Sequence, residues 1–519
     1  MNKDINRVFH YHEVTKHSQQ RYARSLGYMD WSTQPDPFRE YQGTQKTVLP
    51  LAIENATIPY SLLDADNPSA PLCKEALSQL LQFSLAIAAW KSSNTSQWAV
   101  RCNASSGNLH PTEAYLILPA LADISQHSSV IHYAPKEHTL ELLAKFESDI
   151  WQQFPKGTFF LALSSIAWRE VWKYGERAFR YVNLDAGHAW QSVVLSAKML
   201  GWHTTRLDSL DDAVMAKLLG LDQKERFFET EHPDMVLAIS PTEISPKSDI
   251  SELITALPDR YEGIANKLSP SMHEWEIIPQ IIEATSTKEI PQKELQKFSV
   301  QREPTKESKE VVLKRRSVHV MKSDISTITQ KQFHTILASV NGSLDGKRNA
   351  AHLCIFVHRV DGYKSGLYIL LRDEADKESL QSEMHSDFLW QTCDLENLYF
   401  LKEDDYHFAS KAISCSQDIA SDGSFSLGML CRFSEEIVNY GPHRYKELYW
   451  ECGVIGQQLY LEATSQGLSG TGIGCYLDDT MHSLLGLKNN KFQILYHFTV
   501  GRGFVDSRIM TLPAYADRI

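Results

Sequence analysis

Short apolar runs bounded by turn-forming residues recur along the chain, at positions 115–118, 159–163, 235–239, 353–357, 367–371 and 494–500. Runs of this length predict buried strands. Between them lie stretches of helical period. Leu77-Ser-Gln-Leu-Leu-Gln-Phe-Ser-Leu85 is one, and Gln332-Phe-His-Thr-Ile-Leu-Ala-Ser-Val340 repeats its pattern more loosely. Positions 187–201 predict a helix of about four turns, apolar on more than one face and therefore buried, with Gly201 as its C-terminal cap. Strands alternating with helices predict an α+β unit whose sheet is covered by helices.

The same unit is written twice. Residues 173–221, shifted by 266, fall on 439–487 without a gap, and fourteen of the 49 pairs are identical. Roughly three would match by chance from average residue usage. The pairs include Tyr174/Tyr440, Gly175/Gly441, Gly187/Gly453, Gly201/Gly467 and Asp212/Asp478, and Leu218-Leu-Gly-Leu221 returns as Leu484-Leu-Gly-Leu487. Two related copies of a buried helix predict a pseudo-twofold pair, as in a fused homodimer. Seven prolines between 241 and 304 mark a connecting segment, in which 274–278 is a short amphipathic helix. The expected organisation is a first domain at 1–240, a Pro-rich linker at 241–310 and a second, divergent domain at 311–519.

Composition narrows the function classes. A 43% hydrophobic content over 519 residues supports two substantial cores. The net charge of -12 lacks long single-sign blocks, so nucleic acid is not an expected partner. No apolar stretch approaches the roughly 18 residues of a membrane span, and the first residues do not read as a signal peptide. The eight cysteines are scattered without a Cys-x-x-Cys pair, which predicts a reducing, cytoplasmic setting without structural zinc.

The chemistry-bearing stretch is Ser105-Ser-Gly-Asn-Leu-His-Pro111, just before an apolar run. Alone it reads as a tight turn. Together with Arg101-Cys-Asn-Ala104 before it, Lys173-Tyr-Gly-Glu-Arg-Ala-Phe-Arg-Tyr181, Gly187-His188 and Tyr11-His-Glu-Val-Thr-Lys16, it resembles the flavin nitroreductase superfamily, specifically its SagB-type thiazole/oxazole (azoline) dehydrogenase branch. The resemblance covers about 8–240 well and 311–515 more weakly. It implies an α+β, nitroreductase-like, FMN-dependent fold, in two fused copies forming an intrachain pseudo-dimer.

In that family both partners of a dimer contribute to each flavin. The resemblance therefore implies that Arg101, Ser105, Ser106, Gly107, Asn108 and His110 serve the cofactor from the first half, with the serines and Asn108 at the polar edge of the ring. Arg315, Arg316 and Ser317 in Leu313-Lys-Arg-Arg-Ser-Val-His319 resemble its phosphate-binding motif, and guanidiniums suit phosphate by bidentate pairing. Gly472, Ile473 and Gly474 resemble its backbone contact to the isoalloxazine, and Arg502 its C-terminal phosphate contact. Gly472-Ile-Gly474 is not a dinucleotide fingerprint, since the third glycine and preceding strand are missing. The halves are unequal: the second has Leu344-Asp-Gly-Lys-Arg-Asn-Ala-Ala-His352 in place of the first loop, and the first lacks Arg-Arg-Ser and has Arg206-Leu-Asp208 in place of Gly472–Gly474. One FMN per chain is the expectation.

Azoline oxidation removes a proton from one ring carbon and a hydride from its neighbour. The resemblance implicates Lys173 and Tyr174 as the catalytic pair; otherwise they are an ordinary amphipathic pair at a helix start. A lysine, with a reference pKa of about 10.4, needs burial or a nearby cation such as Arg177 or Arg180 to act as a base. The second half keeps Tyr440 but has Asn439 in place of the lysine. The leading reading is a dehydrogenase acting on a heterocycle in a peptide or small natural product, monomeric in solution, with a cyclase as a potential partner. An NAD(P)H-dependent nitro or quinone reductase and a non-catalytic scaffold are the alternatives.

Overall fold

Strands Thr112–Leu118 and Phe159–Ser165 are buried at every position and pair antiparallel inside a seven-stranded sheet. Strands covered on both faces lose the polar alternation of a half-exposed strand, so they read as continuous apolar runs. The computed structural model describes residues 2–94, 96–287, 302, 306–342 and 349–518. The first sheet contains β1 (Gln45–Val48), β2 (Thr112–Leu118), β3 (Ser128–Ala134), β4 (Thr139–Phe146), β5 (Phe159–Ser165), β6 (His203–Arg206) and β7 (His232–Ser240). Its spatial order is β1-β4-β3-β2-β5-β7-β6.

A second sheet contains β8 (Ala351–Val357), β9 (Gly366–Leu370), β10 (Gln391–Thr392), β11 (Leu398–Glu403), β12 (Phe425–Arg432), β13 (Ser469–Ile473) and β14 (Phe492–Gly501). Its order is β10-β11-β9-β8-β12-β14-β13. With the edge strands β1 and β10 set aside, both sheets run third, second, first, fourth, sixth, fifth. The two sheets share one topology, so the fold is a tandem of two α+β copies. All six expected runs are strands. β12 was not among them, because Ser426, Gly428 and Arg432 interrupt its apolar pattern.

Helix α1 (Lys3–Val14), α2 (Ala167–Tyr174), α3 (Ala178–Met199) and α4 (Arg444–Ser465) bear on the site. A shift of 266 carries α3 onto α4 from end to end. The same shift carries the helix Asp212–Leu219 onto Asp478–Leu485, each closed by a left-handed glycine, Gly220 at φ 68° and Gly486 at 85°. Only glycine takes that conformation cheaply, so this stop signal is written in both copies. α3 begins nine residues ahead of the expected start at Gly187, which lies buried within it. An interior glycine costs a helix about 1 kcal/mol, and the buried residues on every side of α3 outweigh that.

The compact units do not follow chain order. The unit of the first sheet comprises Ser25–Gln292, Glu307–Leu313 and Arg508–Ile519, and the unit of the second sheet includes Met1–Arg24 and Lys314–Ser507. In the second-sheet unit, α1 buries Val8 and Tyr11, and His12 sits between the Tyr445 hydroxyl at 3.3 Å and Gln493 Oε1 at 3.0 Å. In the first-sheet unit, the strand Met510–Pro513 pairs with Ile87–Ser92, and Tyr515 donates to the Pro135 carbonyl at 2.6 Å. Part of the expected linker is folded onto the first-sheet unit: helix Ile277–Ala284 buries Ile278, Ile281 and Ala284, with Pro279 tolerated in its first turn. No helix among the described residues is long and apolar enough to cross a membrane.

Candidate functional site

In the first-sheet unit the turn before β2 is strained. Gly107, Asn108 and His110 have φ of 58°, 59° and 51°. Residues with side chains rarely adopt such angles, so the surroundings must hold them there. Four anchors do so. The Ser106 N–H reaches both carboxyl oxygens of Asp185 on α3, at 2.9 and 3.0 Å, and its hydroxyl donates to Oδ1 at 2.8 Å. The Ser105 hydroxyl oxygen accepts the His110 N–H at 2.8 Å, and the Asn108 amide donates to the Ala99 carbonyl at 2.7 Å. Arg169 on α2 donates to the His110 carbonyl at 2.7 Å and pairs with Glu113 of β2.

Lys173 and Tyr174, at the C-terminal end of α2, come to the same turn. A Cβ placed on Gly107 would lie 2.7 Å from the Tyr174 hydroxyl and 3.0 Å from the Lys173 Nζ. The ammonium lies 5.4 Å from the Tyr174 ring centre. Arg177, expected near the lysine, donates from Nε to the Tyr181 hydroxyl at 3.2 Å. Ser106 and Asn108, expected at a ring edge, use hydrogen bonds to hold the turn itself. Arg101 is buried at the end of strand Gln97–Arg101, donating to the Pro37 carbonyl with its guanidinium 5.5 Å from the Phe38 ring centre. Burial brings that guanidinium down to about 10, against the opposing charge of Glu113.

Two buried carboxyls lie behind the turn. Burial pushes Asp185 up to about 7, although the Ser105 and Ser106 hydrogen bonds favour its ionised form. Glu170 on α2 is raised well above the usual carboxylate range by burial and then by the charge of Asp185, while Lys173 and Arg169 oppose the shift. Neither Glu170 oxygen has a hydrogen-bond partner among the described residues. Beneath β2, burial pushes the Glu113 carboxyl up, but Arg169 and His132 outweigh it and hold it at about 2. His132 contacts Glu113 at 3.2 Å and Glu141 at 2.9 Å, and these carboxylates raise it to about 9 against burial.

In the second-sheet unit, the other expected residues converge. Ser317 bridges to Gly470, its hydroxyl meets that of Tyr460 at 2.7 Å, and the Val318 N–H donates to the Thr471 hydroxyl at 3.0 Å. Arg315 is buried with its guanidinium 5.1 Å from the Tyr460 ring centre, and Arg316 is half-buried. The Arg502 carbonyl accepts the Lys322 N–H at 3.0 Å, and Gly503 bridges to Met321. The cations at 315, 316 and 502 and the hydroxyl at 317 thus belong to adjoining segments, and their donor chemistry suits a phosphate. Ile473 is buried in β13, and Gly474 follows that strand. The Gly472 N–H already donates to the Tyr460 hydroxyl at 2.8 Å, and the space where its Cβ would stand is filled by Tyr496. This glycine is required by the chain's own packing.

Sequence reasoning missed Asp185, Glu170, Arg169, Glu113 and His132. One signal was available: the shift of 266 places Glu451 on Asp185, and a carboxylate recurs although the residue does not. Glu451 accepts the Ala350 and Ala351 N–H groups at 3.1 Å, at the start of β8. Residues 344–348, part of the expected counterpart of the first loop, lie outside the described residues.

The Nitroreductase family model matches residues 68–230 and 367–502. A crystal structure of an Anabaena variabilis protein assigned to the nitroreductases aligns over 96% of this chain and 99% of its own, at 20% identity and a TM-score of 0.70. One from Ralstonia eutropha, with the same assignment, covers 41% of this chain and 95% of its own, at 16% identity and a TM-score of 0.29. A Methanocaldococcus jannaschii protein assigned likewise is 23% identical over 165 residues, 30% of this chain and 78% of its own.

Proposed function

The chain belongs to the nitroreductase family, and from that premise we propose that it is an FMN-dependent dehydrogenase of SagB-like type with one active centre. Its substrate is a reduced heterocycle of the azoline class, in a peptide or a small natural product. The observation that carries this reading is the arrival of Lys173 and Tyr174 at Gly107, within 3.0 Å of where its side chain would stand. A glycine there leaves the pair room that any larger residue would take.

FMN, when bound, supplies the two-electron acceptor for the hydride. Arg315, Arg316, Ser317 and Arg502 offer its phosphate charge-assisted hydrogen bonds. Lys173 is the base that receives the ring proton, with Tyr174 orienting it. Burial disfavours the ionised form of Glu170, one turn earlier on α2. Asp185 fixes the height of the turn through Ser106.

The test is turnover of an azoline-containing peptide by the flavin-loaded protein. Formation of the azole, lost in Lys173→Ala with flavin retained, is the expected result. Oxidation of NAD(P)H with nitroaromatic or quinone acceptors, insensitive to Lys173→Ala, would replace this reading by the reductase one. Bound flavin without any turnover would leave a scaffold.

A further inference from the structure

The second-sheet unit brings together three donors that sequence spacing separates. Cys475 Sγ lies 2.6 Å from Cys415 Sγ and 3.7 Å from His17 Nδ1, across 60 and 458 positions of chain. The three atoms all fall within 4.8 Å of one another, and among the described residues no other group of three His, Cys, Asp or Glu donors is close enough to share an ion. The expectation of no metal rested on the lack of a local Cys-x-x-Cys pair. Here the pair is assembled by the fold.

The surroundings aim these donors. Cys415 and Ser416 have φ of 54° and 63°, a left-handed turn that sets the direction of the thiol. His17 is tied at its backbone: its N–H donates to Asp478 Oδ2 at 2.9 Å, and its carbonyl accepts the Asp478 N–H at 3.2 Å. Lys16 pairs with Asp479 at 3.0 Å. The Cys475 carbonyl accepts from the Gln417 side chain at 3.3 Å, and the Leu477 N–H reaches the Ile413 carbonyl at 2.7 Å. The Tyr22 hydroxyl hydrogen-bonds Cys415, and its ring lies 4.6 Å from that of His17. Three chain segments are thereby fixed around one point.

We propose that His17, Cys415 and Cys475 bind one zinc-class divalent cation, which clasps Met1–Arg24 to the segment just after Gly472–Gly474. Two thiolates and one imidazole are the borderline-soft set that tetrahedral zinc prefers, with the fourth position left to solvent. Zn–S and Zn–N bonds of about 2.3 and 2.0 Å place ligand atoms on one ion roughly 3.5–3.8 Å apart. The sulfur–nitrogen separation already fits that range, and binding would spread the two sulfurs to it. Each thiol gives up its proton to solvent as its Zn–S bond forms, and no electron moves. The Tyr22 hydroxyl stands outside the ion and orients a ligand sulfur.

The test is metal analysis of the full chain purified without chelator, with Co2+ exchanged for Zn2+ as a spectroscopic probe. The expected result is about one equivalent per chain and a thiolate-to-cobalt charge-transfer band. Cys415→Ser, Cys475→Ser and His17→Ala should each weaken Co2+ binding at least about tenfold, while Cys393→Ser, which leaves all three donors in place, should not. Far-UV circular dichroism separates loss of the ion from loss of the fold. Metal content unchanged in the three variants, or no binding by the reduced protein, would overturn the proposal. So would a Cys415–Cys475 disulfide whose reduction yields no binding, which would mark a redox pair instead.

Discussion

Asp185 and Glu451 stand at one position of the duplicated unit and perform one task with different neighbours. Each takes backbone N–H groups at or before the start of the first strand of its sheet's central meander, Ser106 in one copy, Ala350 and Ala351 in the other. Asp185 is met by serine donors and is pushed up to about 7 by burial. Glu451 is met by the Arg372 guanidinium at 2.5 Å. A guanidinium balances the charge of Glu451, whereas hydroxyl and amide donors alone hold Asp185. Lys173 faces the turn that Asp185 holds, and Asn439 stands at the corresponding position of the other copy. The comparison teaches that the carboxylate hold on this segment was kept twice and the lysine beside it once.

The largest effect should come from the base. Lys173→Ala is expected to lower turnover by about 10²–10⁴-fold with flavin content unchanged, and Asn439→Lys in that background should restore nothing. Rescue by Asn439→Lys, read in the same assay, would break the comparison. Next is the structural carboxylate: Glu451→Gln strands the Arg372 guanidinium and should cost up to about 3–5 kcal/mol of stability, read by denaturant unfolding. Gly107→Ala follows. Its positive φ and the approach of Tyr174 and Lys173 predict a loss of about 1–3 kcal/mol and a fall in turnover.

The smallest effects concern pH. The folded value of Asp185, about 7, is raised from 3.8. Its contribution to stability is therefore fully present below about 3.8 and is lost as pH rises through about 7. Asp185→Asn should flatten this decline in a plot of melting temperature against pH. His132, raised from 6.5 to about 9, contributes fully below about 6.5, and that support is lost as pH rises through about 9. His132→Gln should remove this alkaline loss and lower stability near neutral pH.

Much of the fold was legible because duplication leaves identical residues at a fixed spacing. The paired stops at Gly220 and Gly486 follow from that spacing. The start of α3 was not legible, because Gly187 reads as a boundary when only local propensity is weighed. The exchange of chain ends was hidden as well: α1 meets Tyr445 and Gln493, and no local pattern reports contacts so distant. In the site, the turn and the Lys-Tyr pair carried a signal, but Asp185 differs from Glu451 and escapes a count of identities. The His17, Cys415 and Cys475 cluster is a product of folding alone.

The account rests on one surviving centre, so flavin stoichiometry tests it most directly. Absorbance of the purified protein, followed by release and quantification of the flavin, should give one FMN per chain, lowered in Arg316→Ala. Two FMN per chain, or none after reconstitution, would contradict it.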